Sequence, residues 1–217
     1  MPAAQPSLEP PLRPARDRAA TESRILAAVG EVLARDGFAA VGVNAIAKQA
    51  GVDKVLIYRY FGGLPELLRV WGASGRFWPR LADLLGDDPA ALLALPLAER
   101  YARFFEHFID ELRARPLTLE ILAGELNERN ELTVILEAER EEWGFEVAQM
   151  LGGAQSLEQH PHLLGSTVLL IAGVQYLLLR ARRIRVFGGI NLQSDEGWVQ
   201  IKQAVRDLAT KLLKPAA

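Results

Sequence analysis

Apolar residues recur at three- and four-residue spacing along most of the chain, and glycine and proline cut that pattern into segments. Ile25, Leu26, Val29, Val32 and Leu33 form one helical stripe, closed by Gly37, after which Phe38 turns back onto it. Val43, Ile46, Ala47 and Ala50 form a shorter stripe, closed by Gly51. No stretch alternates convincingly at period two, and no internal repeat is present. The pattern therefore predicts an all-α protein.

Local signals set the expected boundaries. Thr21 is placed to cap the first helix, and Asp53 the third, where Val52 and Ile57 can form a hydrophobic staple. Gly62 and Gly63 end the third helix, and a fourth is expected from Leu64 to Leu85, with Gly72, Gly75 and Pro79 making it bendable. Breaks at Asp87-Asp88-Pro89, Arg115-Pro116 and Gly152-Gly153 separate helices at about 97–114, 116–126 and 129–151. His162–Arg183 and Ser194–Leu213 follow, joined by a Gly188-Gly189 loop, for about nine helices in all.

Residues 1–20 hold five prolines and too little apolar content for a core, so they read as a flexible arm. Arg13, Arg16 and Arg18 make that arm a source of mobile positive charge. Residues 1–80 hold 11 Lys/Arg against 7 Asp/Glu, whereas residues 81–217 hold 14 against 20. A basic front on an acidic back suits a nucleic-acid-binding head on a body that does not itself touch nucleic acid.

Composition also excludes chemistry. The absence of cysteine removes disulfides, thiolate metal sites and thiol catalysis. His160 and His162 without further ligands make a poor metal site. No nucleophile–base pairing or phosphate loop is evident, so the chain reads as a non-enzyme with no cofactor and no metal. The longest apolar run, Leu163–Leu179, contains Ser166, Thr167 and Gln175, and reads as a buried helix rather than a membrane span. The first twenty residues lack the apolar core of a signal peptide, so a cytoplasmic location is expected.

Function enters with the two short helices around Gly51-Val52, about residues 42–61. They form a helix-turn-helix pattern, whose second helix fits the major groove of DNA while the first crosses the backbone. At 100° per residue, Ile57, Tyr60 and Phe61 fall on one side of the third helix. Val55, Tyr58 and Arg59 fall on the other, with Lys54 at the flank.

The residues carry more than the pattern. Ile46-Ala47-Lys48-Gln49-Ala50-Gly51-Val52-Asp53-Lys54, followed by Ile57-Tyr58-Arg59-Tyr60-Phe61, closely resembles the TetR family of bacterial transcriptional regulators. Gly37-Phe38 before it and Glu66-Leu67-Leu68 after it extend the likeness to about residues 21–72. The resemblance implies a DNA-binding domain over residues 21–80 and a helical ligand-binding and dimerisation domain over 81–217. It implies a regulator, usually a repressor, that binds a palindromic operator as a homodimer and answers to a small-molecule effector.

Carried residue by residue, it places Lys54, Val55, Tyr58, Arg59 and Tyr60 at DNA from the recognition helix and Lys48 at the backbone. Three positions depart from the family pattern. Gly42 stands where a Ser or Thr usually caps the second helix, Leu56 where a hydroxyl is frequent, and Leu64 where a Lys is common. These departures keep open an alternative, a helical effector-binding or assembly protein with weakened or lost DNA binding.

In the second half, Leu169, Leu170, Ala172, Val174, Leu177 and Leu178 form one apolar stripe. Trp198, Ile201, Val205, Leu208 and Leu212 form another, and such a pair of helices can meet its copy across a two-fold axis. Phe104, Phe105, Phe108 and Trp143, with Leu122 and Phe145, are candidate walls of an effector pocket for an apolar or amphipathic molecule, with His107 as a polar handle.

Overall fold

The computed structural model describes residues 14–74, 77–127 and 129–213. Chain contacts divide it into two compact units, Met1–Leu67 and Leu68–Ala217. Helices α1 (Pro14–Asp36), α2 (Val43–Ala50) and α3 (Lys54–Phe61) belong to the first unit, with a 3₁₀ turn at Phe38–Ala40. Helix α4 (Leu64–Ala73) carries the chain into the second unit.

Helix α1 begins seven residues before the expected cap. Pro14 fits the first turn, where its missing N–H has no intrahelical partner to lose. The run after it is rich in Ala, Arg and Glu, which favour helix. Thr21 is thus interior and buried, not a cap. The rest of the expected arm, Arg13 included, lies outside the described residues. Ile25, Val29 and Val32 are fully buried with Ile46 and Ile57, so the stripe read from the sequence is the core of this unit.

Among its described residues, the second unit consists of helices, their connecting loops and one hairpin. It comprises α5 (Leu81–Leu85), α6 (Pro89–Ala94), α7 (Leu97–Arg113), α8 (Pro116–Glu125), α9 (Glu131–Leu151), α10 (Gly153–Gln159), α11 (Leu163–Ala181) and α12 (Asp195–Leu212). Twelve α-helices among the described residues replace the expected nine, and the surplus is α5, α6 and α10. Each surplus helix is a short piece. Asp88 and Pro89, expected only to break the chain, instead cap and open α6, the Asp88 side chain accepting from the Ala91 amide at 3.0 Å.

The fourth helix does not run to Leu85. It ends at Ala73, and α5 restarts at Leu81 with Arg80 and Asp83 bonding reciprocally across its first turn. Gly72 is helical and buried, not a bend. It packs against α9, where a Cβ would stand 3.5 Å from Leu136 and Glu139, an ordinary contact distance.

The Gly188-Gly189 loop is a two-residue hairpin turn. Both glycines take positive φ, as such turns require, and join β1 (Val186–Phe187) to β2 (Ile190–Asn191) in antiparallel register. Helix α11 differs most from expectation. It is apolar and long enough to cross a membrane, yet only 17% of its apolar window is buried within the chain. Leu163, Val174 and Leu178 face inward, while Leu164, Val168, Leu169 and Tyr176 are exposed. The expected buried helix is therefore buried on one face only.

Helix α12 packs along α7 and is pinned at both ends. Ser194 caps it, the Trp198 indole donates to the Leu192 carbonyl at 2.8 Å, and Arg206 holds Glu99 and Glu106 of α7 at 2.7 and 2.6 Å. A Cβ on Gly197 would overlap the Asn191 carbonyl oxygen, so β2 sits against α12 only because that residue lacks one. Gly197→Ala should therefore cost about 1–3 kcal/mol and lower the thermal midpoint by about 3–10 °C. Calorimetry on the purified variant checks this, and an unchanged midpoint would mean that β2 is not clamped there.

Candidate nucleic-acid interface and ligand cavities

The helix-turn-helix is built from local rules. Gly51 takes a left-handed conformation, with its amide and that of Val52 bonding back to Lys48 and Ala47 at 3.3 and 3.0 Å. The chain then turns directly into Asp53, whose carboxylate accepts from the Val55 amide at 2.8 Å and starts α3. Gly62, at φ 79°, ends it. Across the unit, Gln49 of α2 accepts from Arg35 at 2.7 Å and donates to Glu31 at 2.5 Å, fixing α2 on α1.

Burial separates the two sides of α3. Ile57 and Phe61 are buried, whereas Val55 and Tyr58 are 59% and 55% exposed, and Lys54 and Arg59 are exposed beside them. This leaves an apolar Val and an aromatic Tyr on the open side of a short helix, flanked by two cations. Lys48 is exposed on α2. Tyr60 is half-buried, with the Arg18 guanidinium 5.0 Å from its ring centroid and Glu22 gripping the same guanidinium at 2.7 Å.

Arg18 is thus a helix residue held beside α3, not a free charge on an arm. The sequence signal for it was an Arg–Glu pair at i, i+4 behind a proline. Of the departures from the family pattern, Gly42 does leave α2 without a side-chain cap, and Leu56 and Leu64 are half-buried.

Residues 25–69 match the family described as "Bacterial regulatory proteins, tetR family". The N-terminal unit belongs to the tetR family. Solved structures extend the likeness of fold to nearly the whole chain. A putative TetR-family transcriptional regulator from Rhodococcus sp. superposes with a TM-score of 0.61 at 20% identity, over 90% of this chain and 100% of that one. A putative TetR-family regulator from Vibrio parahaemolyticus gives 0.59 at 22% identity, over 86% and 97%. A fatty acid degradation regulator, FadR from Bacillus halodurans, gives 0.59 at 15%, over 88% and 99%. No curated protein matches by sequence. The chain thus joins a TetR-family helix-turn-helix to a helical second unit of TetR fold.

In that second unit the candidate pocket residues do come together, but mostly as packing. Phe104, Phe105 and Phe108 are fully buried on α7, with Phe104 and Phe108 stacked at 5.9 Å. Trp143 of α9 lies 5.9 Å from Phe108 and 6.4 Å from Phe104. Trp78, which sequence reasoning missed, completes the group at 5.5 Å from Trp143 and 6.1 Å from Phe108. Nothing in the local sequence distinguishes it, because it lies between helices. Leu122 is buried, and Phe145 is 65% exposed.

Two cavities adjoin this core. The larger, about 460 Å³, is lined by Asp83, Asp87, Asp88, Asp110, Glu111 and His107 among others. His107 is committed through Nδ1 to the Leu84 carbonyl at 2.7 Å. Several carboxylates are likewise engaged: Asp83 and Glu111 with Arg115, and Asp110 with Lys202. The smaller, about 250 Å³, is walled by Phe77, Trp78 and Trp143, with Glu139, Arg140, Glu142 and Glu146 from α9. Phe104, Phe105 and Phe108 line neither. Behind the smaller cavity, burial pushes the Glu125 carboxyl up while Arg140, 2.7 Å away, draws it back down.

The Asp53 cap is the one polar device that starts α3. Asp53→Ala should cost about 1 kcal/mol and raise fraying of Lys54–Tyr58. Urea unfolding and amide exchange measure both, and unchanged exchange in that turn would show that α3 is held by packing alone.

Proposed function

We propose that the protein is a homodimeric, sequence-specific DNA-binding regulator that represses from a palindromic operator and is modulated by a small molecule. The observation that carries this is the face of α3 bearing Lys54, Val55, Tyr58 and Arg59, which the fold holds open while burying Ile57 and Phe61. Arg59 can bond the O6 and N7 of a guanine, Val55 can meet a thymine methyl, and Tyr58 reaches a phosphate or base edge. Lys48 on α2 meets the backbone, and Tyr60, under Arg18, sits at the flank.

Two copies are needed for a palindrome. The uncovered apolar face of α11 supports pairing through the last two helices, because a face carrying Leu164, Val168 and Leu169 is costly to leave in water. The same pairing, and not a bilayer, is our reading of why this helix is apolar. We read the role as cytoplasmic and non-catalytic, in keeping with a DNA-binding regulator. Half-sites would lie about 34–36 Å apart or at a multiple of that spacing.

A specific observation favours one alternative. With Gly42 offering no side-chain cap, α2 lacks one expected phosphate contact, as a helical effector-binding or assembly protein with weakened DNA binding would. Selection from random duplexes separates the readings: an enriched palindrome supports the regulator, and no enrichment at low salt supports the alternative. On the selected site, Arg59→Ala should cost about 1–3 kcal/mol and relax preference at one base pair per half-site. Unchanged affinity and preference would remove Arg59 from the reading surface.

The dimer is tested on its own. Leu169 is 75% exposed in the single chain, so Leu169→Glu leaves the protomer folded. It should turn a sedimenting dimer into a monomer and abolish binding to the full palindrome. A variant that stays dimeric would move the interface off α11.

A further inference from the structure

We infer that the smaller cavity of the second unit is a binding site for a planar aromatic molecule that bears a hydrogen-bond acceptor at its inner end and no negative charge. The inference rests on the regulatory reading above and names the chemistry of its effector.

Shape comes from the walls. Phe77, Trp78 and Trp143 supply aromatic surface around about 250 Å³, room for a two- or three-ring molecule rather than a long chain. The acceptor comes from an unmet need. The indole N–H groups of Trp78 and Trp143 are both buried and have no hydrogen-bond partner among the described residues, although their rings stand edge to face at 5.5 Å and line the same cavity. One buried indole N–H without a partner is uncommon, and each is costly to leave so. Trp143 is only half-buried, so a rotation of its ring toward the cavity carries its N–H to an acceptor on an occupant.

The charge rule comes from α9. Glu139, Glu142 and Glu146 line the cavity along one side of that helix, and no ion pair is found for them among the described residues. The two cations among the described residues of the lining are committed, Arg80 to Asp83 at 2.8 Å and Arg140 to Glu125 at 2.7 Å. Arg140 also lies 5.7 Å from the Trp78 ring centroid, a cation–π contact that helps hold that ring. Among the described residues of the lining, an anionic head meets three carboxylates and no uncommitted cation, so carboxylates, fatty acids included, are disfavoured.

The probes are flavone, which is planar, uncharged and carries a carbonyl; 2-phenylnaphthalene, its hydrocarbon counterpart; and a flavone carboxylate. Equilibrium dialysis against the full chain should show flavone bound and the carboxylate at least tenfold weaker. Trp143→Phe and Trp78→Phe keep the ring and remove the N–H. Each should weaken flavone about two- to tenfold while leaving 2-phenylnaphthalene unchanged.

Glu142→Lys with Glu146→Lys alters exposed positions only, so folding is retained, and it should recover carboxylate binding without loss of flavone. Absence of flavone binding, equal binding of the carboxylate, or flavone affinity unmoved by both indole substitutions would overturn the site. Failure of the site and failure of the regulator are distinguishable. Flavone binding without an enriched operator leaves the cavity standing alone, and an operator without flavone binding leaves the regulator standing with a different effector.

Discussion

Burial of one face of α7 is the constraint on which the second unit depends. Phe104, Phe105, Phe108, Ile109 and Leu112 are all fully buried, and each such side chain contributes about 1.5–3 kcal/mol by leaving water. That face can be covered only if several elements converge on it, and α5, α8, α9 and α12 all pack there. The flank of α7 beside α12 carries Glu99, Glu106 and Asp110, and its charges meet Arg206 and Lys202 of α12. Those bridges are partly exposed and weak individually, so they fix the register of α12 more than they hold it.

The parts of the fold legible in the sequence are those decided within a few residues. Asp53 as a cap, Gly51 and Gly62 as left-handed ends, and the stripe from Ile25 to Leu33 follow from local backbone chemistry, and α7, α8, α9, α11 and α12 lie close to where periodicity puts them. The misses share a different cause. Thr21 is a good cap by composition, but Pro14 opens a longer helix in which Thr21 is packed. Gly72 looks like a hinge, but it is helical and packed against α9. Short helices such as α5 and α6 have too few turns for a period to be read and depend on what they pack against.

The candidate DNA surface was legible for a related reason. Exposure of Val55, Tyr58 and Arg59 follows from the helical angle once Ile57 and Phe61 are assigned to the core, and a two-turn helix leaves no other choice. The pocket was legible only in part. The spacing of Phe104, Phe105 and Phe108 marks a buried stripe and cannot tell packing from lining, and both observed cavities lie outside it. Trp78 owes its place to Thr118, which bonds the neighbouring Phe77 carbonyl from α8, and to Trp143 and Arg140 of α9. None of these partners is within thirty residues, so no local pattern records the arrangement.

The position of Trp78 bears on how such a molecule would be governed. Trp78 stands in the short stretch between the end of α4 at Ala73 and the start of α5 at Leu81, and α4 runs without interruption from the residues that follow α3. A ligand that draws the Trp78 and Trp143 rings toward it acts on that stretch and on α9, against which Gly72 of α4 is packed. It can alter DNA affinity only by the difference in its affinity for two arrangements of this region, and DNA must then alter its affinity by the same factor. The unpartnered indoles are a source of such a difference, since an acceptor on the molecule would satisfy them and no group of the described residues does. On the proposed reading, the groups that set specificity for the molecule would therefore also be the groups that transmit its presence.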